Sequence, residues 1–284
     1  MSKLIVVADS SQLARFSECP MAWNLENQEN LALAADVTNV PMVSGTYGHK
    51  LLDIFYCQIA KGENRSNAMD CAIEHDPEKE AIANGETFSL DPPQRELVKQ
   101  RFREYCYTYV TNDFIPKSPA HVEIGFSEPV YESTDKLYVL EGRIDLIGSL
   151  QGLECAVDHK FQMRSRDIYA KTIQFRNYAM ITKTNMLVVN YIRLTKGISK
   201  DTFARKISSF TPYEHQVWKQ RVIRMFDNMA DAMRHGYYEQ RWDACSGKYG
   251  YPCPFTQLCE QADSQLIQVM KQTRYTERKA WKPW

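Results

Sequence analysis

Apolar positions recur along the chain in two rhythms, and the switch between them divides it. After a short apolar run, Leu4 to Val7, Ser10 or Ser11 is placed to cap a helix reaching about Cys19, where Pro20 restricts the preceding residue. From Ser44 the residues Leu51, Leu52, Ile54, Phe55 and Ile59 keep a helical spacing up to Gly62, with His49 in the first turns. Asp91-Pro92, a cap followed by proline at the first helical position, opens a further helix that runs into an aromatic-rich stretch ending at Phe114.

From His121 to Phe161 the period drops to two. The runs VEIGF, PVYE, KLYVLEGRIDLIGSL and LECAVDHKF, parted by turn-prone SerThrAsp and GlnGly, predict a meander of antiparallel strands. Asp167 is placed to cap a helix through about Thr182; a strand MLVVNYIRL, a turn at Lys196-Gly197 and a strand near KISSF follow. Thr211-Pro212-Tyr213-Glu214 reads as a capping box, opening a helix with Trp218, Val222, Met225, Met229 and Met233 on one face before Gly236. The last 48 residues read as loop-rich. Helices, strands, a helix and further strands in this order predict an α/β class with a mixed sheet flanked by helices. A single domain over 1–284 is expected: a mainly helical part to residue 120, a core over 121–210, and a C-terminal helix and cysteine-rich lobe over 211–284.

Composition adds little and excludes some classes. With 44% hydrophobic and 25% charged residues the chain has the make-up of an ordinary globular protein. Lys plus Arg equals Asp plus Glu at 35 each, so any contact with nucleic acid must come from a local basic patch. The N-terminus does not resemble a signal peptide and no long apolar run suggests a membrane span, so a soluble cytoplasmic protein is expected. In a reducing compartment eight cysteines point to buried thiols or metal ligation rather than disulfides.

The strands carry the candidate chemistry. Asp145 lies in LEGRIDLIG and Asp158 in LECAVDHKF, and a carboxylate within an apolar strand is costly to bury unless it is paired or binds a cation. The strand period puts Asp158 and Lys160 on one face and turns the His159 side chain away. Two hard carboxylates on adjacent strands suit Mg²⁺ or Mn²⁺, with the backbone carbonyl of His159 as a further oxygen ligand; Lys160 is placed to hold an attacking water or to offset charge on a phosphate. Cys245, Cys253 and Cys259 lie among glycines and prolines that favour a tight loop turning thiols inward, while Cys19 stands far upstream. Such thiolates suit zinc or an iron–sulfur cluster, and the lack of paired C-x-x-C motifs disfavours a zinc ribbon. Cys57, Cys71, Cys106 and Cys155 are scattered and carry no assigned role.

GRIDLIG, then AVDHK, then Gln174-Phe175-Arg176-Asn177-Tyr178, preceded by Gly45-Thr46-Tyr47-Gly48-His49, resembles the nuclease core of the RecB-like branch of the PD-(D/E)XK superfamily. The resemblance implies a restriction-endonuclease-like core, with Asp145, Asp158 and His49 as metal ligands, Lys160 as the catalytic lysine, and Gln174 and Tyr178 contacting DNA or ordering the site. One early cysteine followed by three late ones is also the arrangement of iron–sulfur nucleases of the AddB and CRISPR-adaptation type. That implies a [4Fe–4S] cluster on Cys19, Cys245, Cys253 and Cys259, with Zn²⁺ as the alternative; the seven-residue step from Cys245 to Cys253 is longer than usual there.

Lys160, Arg164, Arg166, Lys171, Arg176 and Lys183 are the candidate phosphate contacts, and Phe161, Tyr169 and Phe175 are either core or base-stacking residues. The expectation is a sequence-independent DNA exonuclease acting on single strands or free ends in recombination or repair, of a kind found free-standing in phages, for which a helicase or recombination partner would fit. The alternative is a non-catalytic nucleic-acid-binding module with a structural zinc or iron–sulfur site.

Overall fold

The computed structural model describes residues 3–33, 40–83, 88, 90–162, 172–195, 197, 202–247 and 252–278. The first apolar run is a strand, β1 (Leu4–Asp9), leading directly into α1 (Ser10–Glu18). Asp9, one residue before the expected serines, caps it by accepting the Ser11 and Gln12 N–H groups at 2.6 and 2.8 Å. After α2 (Pro20–Trp23) and the short β2 (Leu31–Leu33) comes α3 (Val40–Ala60), which begins four residues before Ser44. α4 (Arg65–Glu74), α5 (Pro77–Ala83) and α6 (Pro92–Thr108) follow. α6 has its proline at the start, but the Asp91 side chain makes no capping bond.

The meander is β3 (Ile115–Pro116), β4 (Val122–Glu132), β5 (Lys136–Leu150) and β6 (Leu153–Gln162). α7 (Ile173–Thr182) is capped by Thr172; the expected cap Asp167 lies outside the described residues. β7 (Met186–Arg193), β8 (Phe203–Ser209) and α8 (Pro212–His235) come next. The Thr211 capping box forms as its sequence requires: the Thr211 N–H donates to Glu214 Oε2 at 2.8 Å and the Glu214 N–H to Thr211 Oγ1 at 3.2 Å. α9 (Thr256–Cys259), α10 (Ser264–Arg274) and β9 (Tyr275–Glu277) give the C-terminal segment more regular structure than its composition suggests. Among the described residues no helix is long and apolar enough to cross a membrane.

The chain forms two compact units, neither continuous in sequence. One comprises 1–36, 126–142 and 216–284; the other comprises 37–125 and 143–215. In the first, β1 runs parallel to the opening half of β5, from Leu4 opposite Lys136 to Asp9 opposite Glu141. β2 pairs antiparallel with β9, from Leu31 opposite Glu277 to Leu33 opposite Tyr275. Cys19, Ala22, Leu25, Phe255, Leu258, Met270 and Tyr275 make its small buried cluster.

The second unit holds the mixed sheet. β5 and β6 are antiparallel, β6 and β7 parallel, and β7 and β8 antiparallel. A parallel pair needs a crossover, and α7 supplies it. α3 lies against β6, with α4 and α6 packed behind it, and α7 lies against β6 and β7. Because successive side chains of β6 alternate, Phe161 faces α3, whose Gly48 it meets, while Asp158 faces α7, whose Gln174 it meets. The sheet is therefore flanked on both faces, which explains why β7 reads as a nearly continuous apolar run and why β6 is buried from Cys155 to His159.

Candidate active site

The ladder between β5 and β6 runs from Leu150 opposite Leu153 to Leu146 opposite Val157 and goes no further. The next pair would have been Asp145 with Asp158. Where the strands part, the His159 N–H donates instead to Asp145 Oδ2, at 2.6 Å. An amide that would otherwise be stranded thus fixes the carboxylate on the facing strand.

His49, from α3, places Nδ1 3.3 Å from the same Asp145 oxygen. Burial alone would lift the Asp145 carboxyl; the His49 imidazole, then His159 and Lys160, outweigh it and hold the group well below the usual carboxylate range. For His49 burial acts downward and the Asp145 charge outweighs it, so the imidazole is raised. Asp158 behaves oppositely. It is 1% exposed, and burial pushes its carboxyl up to about 6, with the Lys160 ammonium opposing and the Asp145 charge adding to the rise. Lys160 Nζ lies 2.8 Å from Asp158 Oδ2, and Gln174 Nε2 donates to Oδ1 at 3.2 Å. The same Gln174 nitrogen donates to the Tyr178 hydroxyl at 2.8 Å, since residues four apart share one face of α7.

The His159 ring turns away, as strand alternation requires. Asn190 Nδ2 bonds its Nδ1 at 2.8 Å, and it stacks on Tyr56 at 5.5 Å between centroids. Burial pushes His159 down to about 3, so the ring is neutral. Arg205 Nε donates to Asn190 Oδ1 at 3.4 Å, and the Arg205 guanidinium pairs with Asp113 at 2.7 Å. Asp113 also accepts from Tyr56 and Arg65, at 2.8 and 2.7 Å. A buried polar network thus backs the centre of the D-x-K strand.

His49, Asp145, Asp158, Lys160, Gln174 and Tyr178 come together, and His159 joins them through its backbone. One further residue does so without having been singled out. Glu123 on β4 groups with His49 and Asp145, their ligand atoms all within 4.8 Å of one another. It is a carboxylate in the apolar run VEIGF, the same signal that marks Asp145 and Asp158, but its direction depends on a left-handed backbone, φ 51°, that no periodicity discloses. Burial lifts its carboxyl to about 7, with the Asp145 charge adding to the rise. Imidazole and carboxylates crowded this way suit a hard divalent cation.

Arg164, Arg166, Lys171 and Tyr169 lie outside the described residues. Phe161 and Phe175, 8% and 0% exposed, are core rather than platforms for bases. In the other unit Cys19, Cys253 and Cys259 share one packed cluster, and the Cys259 thiol is pushed up to about 11 by burial and then by Cys253, Cys19 and Cys245. The Cys253 N–H donates to the Cys245 carbonyl at 2.9 Å, and Arg15 Nη2 approaches Cys253 Sγ at 3.6 Å. Thiols are soft donors of the kind that hold zinc or iron–sulfur groups, but among the described residues only His49, Glu123 and Asp145 bring their ligand atoms within 4.8 Å of one another.

Residues 10–260 match the model of the PD-(D/E)XK nuclease superfamily. No curated protein matches the chain by sequence. Among solved structures, a "putative exonuclease" from Eubacterium rectale is similar at 12% identity and TM-score 0.45, over 93% of this chain and 92% of that one. SSO0001 is similar at 11% identity and TM-score 0.40, over 92% and 89%. An alkaline exonuclease from Laribacter hongkongensis, LHK-Exo, is similar at 11% identity and TM-score 0.29, over 67% and 96%. At such scores these likenesses add nothing to the family match.

Proposed function

Since the chain belongs to the PD-(D/E)XK nuclease superfamily, whose members are metal-dependent nucleases, we propose that it hydrolyses DNA phosphodiester bonds from free ends, without sequence preference, using Mg²⁺ or Mn²⁺. The convergence of His49, Asp145, Asp158, Lys160 and Gln174 on the point where β5 and β6 part carries this reading. His49, Asp145, Asp158 and the His159 carbonyl are the groups that would hold the cation. When bound, it supplies positive charge that polarises the scissile phosphodiester and makes water acidic enough to attack near neutral pH.

The side chains divide the remaining work. Asp145, fixed by the His159 N–H and His49, stays ionised and presents its charge in one orientation. Asp158 meets Lys160 on one oxygen and Gln174 on the other, which fixes both acid and lysine. The Lys160 ammonium is positioned to donate to the attacking water or to the phosphate oxygen that gains charge. Gln174, locked to Tyr178, orients Asp158 and is a positioning residue.

End-directed cleavage is favoured by His49, which the resemblance links to exonucleases, and recombination or repair-type processing is the setting proposed. In the other unit, the gathered thiols of Cys19, Cys245, Cys253 and Cys259 support a structural [4Fe–4S] cluster there. The nuclease reading is tested with end-labelled linear DNA and Mn²⁺. Wild-type protein is expected to release label from linear DNA and to leave closed circular DNA intact on a gel, with Asp158→Ala and Lys160→Ala reducing the rate by at least about a thousandfold while circular dichroism stays unchanged. Absence of digestion under every divalent cation, with DNA binding retained, would favour a binding module.

A further inference from the structure

Past Leu146 and Val157 the β5–β6 ladder has ended, so β6 is held on that edge by the His159 N–H on Asp145 and on the other by its parallel pairing with β7. In an extended strand the N–H and C=O of one residue point to the same edge. The backbone of His159 therefore serves Asp145 with its N–H and offers its carbonyl on the same side. Misplacing such a group by about 1 Å costs on the order of a hundredfold in rate.

A row of three side chains bears on it from the far edge of the sheet. His159 on β6 stands opposite Asn190 on β7, and Asn190 stands opposite Arg205 on β8. The three bond along the row: Asn190 Nδ2 meets His159 Nδ1 at 2.8 Å, and Arg205 Nε donates to Asn190 Oδ1 at 3.4 Å. A guanidinium only donates, so Asn190 turns its oxygen to Arg205 and its NH₂ to His159. Nδ1 must then accept, and the imidazole proton sits on Nε2.

Arg205 is itself immobilised. Nη1 donates to the Asn112 carbonyl at 2.6 Å, and Nη2 to the Tyr105 hydroxyl at 3.0 Å and to Asp113 Oδ1 at 2.7 Å. Its guanidinium lies 3.6 Å from the centre of the Tyr109 ring and 4.0 Å from that of Phe114. Arg65 takes the other Asp113 oxygen, and Tyr56, whose ring stacks on His159, donates to Asp113 as well. The side chains of Arg205 and Asp113 are each 8% exposed, a setting in which apolar residues of the same volume often serve stability equally well.

We propose that Arg205 is a positioning residue of the nuclease centre, acting through Asn190 and the His159 imidazole to set the backbone whose N–H fixes Asp145. Its effect on cleavage rests on the nuclease reading above, whereas the relay belongs to the chain without metal or DNA. Neither Arg205 nor Asn190 touches the cation or the substrate; both act by holding the D-x-K strand in place.

The test starts with ¹⁵N-histidine NMR of the full wild-type chain, free of metal and DNA. His159 is expected with its proton on Nε2 and none on Nδ1; a proton on Nδ1 overturns the relay. Arg205→Met and Asn190→Leu each remove one link at nearly constant volume. Each is expected to weaken Mn²⁺ binding, read by calorimetry, by at least about tenfold, and to lower kcat on end-labelled DNA by a similar factor with KM unchanged. The double variant should be no slower than the slower single one, since both links lie on one chain. Arg205→Lys keeps the charge but lacks the fork that reaches Asn190 and Asp113 together, and should not restore kcat. Additive losses, or rescue by lysine, would show a packing role instead and overturn the proposal, as would wild-type Mn²⁺ affinity in either folded single variant. Should neither variant fold, the wild-type spectrum decides. Variants that lose Mn²⁺ affinity in a chain whose wild type leaves DNA intact would keep this inference and remove the nuclease reading. An active wild type whose variants keep full rate and affinity would do the reverse.

Discussion

Gly45 and Gly48 sit one turn apart on α3 and face different constraints. A Cβ at Gly48 would lie 2.5 Å from the Phe161 ring, the residue after Lys160, whereas at Gly45 the nearest atom is the Phe161 carbonyl oxygen at 3.9 Å. Gly48→Ala is therefore expected to push Phe161 aside, costing about 1–3 kcal/mol, and to lower the cleavage rate by moving Lys160. Gly45→Ala should instead stabilise by roughly 0.5–1 kcal/mol through helix propensity. Thermal melts beside digestion rates separate the two, and equal effects would show that the close approach does not matter.

Asp158 offers a second residue-scale check. Its folded-state value of about 6 lies above the ordinary 3.8, so the folded protein keeps a proton that the unfolded chain gives up. Metal-free stability from this group consequently falls as pH rises from about 4 to about 6. Asp158→Asn removes that cost, and its metal-free Tm should exceed that of wild type at pH 8 but not at pH 4. A gap of equal size at both pH values would contradict burial as the cause. Asp145, Asp158 and Lys160 are legible in the sequence because strand period and an apolar setting single them out. Glu123 was not, since its placement depends on one φ angle, and the His159–Asn190–Arg205 chain was not, since it joins residues 31 and 15 positions apart.

At the scale of elements, legibility followed local chemistry. The box at Thr211 and Glu214 needs only four residues, and α8 starts where it predicts. Thr211→Ala is expected to cost about 1 kcal/mol, read as a lower Tm with unchanged cleavage at low temperature. β1 escaped notice because four apolar residues make a weak signal and its partner, the opening half of β5, lies more than a hundred residues away. β2 and β9, three residues each, show no period at all. The parting of β5 and β6 at Asp145 is likewise invisible in sequence, because the alternation continues on both strands past the point where pairing ends.

For the whole molecule, the chain closes two compact units by returning to earlier segments. The mixed sheet flanked by helices was readable from element order. That the C-terminal lobe joins the N-terminal segment is readable only through the cysteines, and that residues 126–142 join it is not readable at all, since they carry none. Cys253→Ser is expected to abolish visible absorbance in anaerobically purified protein and to lower its thermal stability, while Asp158→Ala preserves both. Full colour in Cys253→Ser would remove the cluster assignment.

The clasp between β2 and β9, extended by the Arg278 N–H donating to the Asn30 carbonyl, also sets an order of events during synthesis. By the time residue 215 has left the ribosome, every strand of the mixed sheet and every side chain of the candidate site is available to fold. The first unit must wait for Cys245, Cys253, Cys259 and β9 to emerge, with Cys19 and β2 held open meanwhile. Any metal group shared by those thiols is therefore a late arrival, fitted to a chain whose candidate catalytic half is already complete.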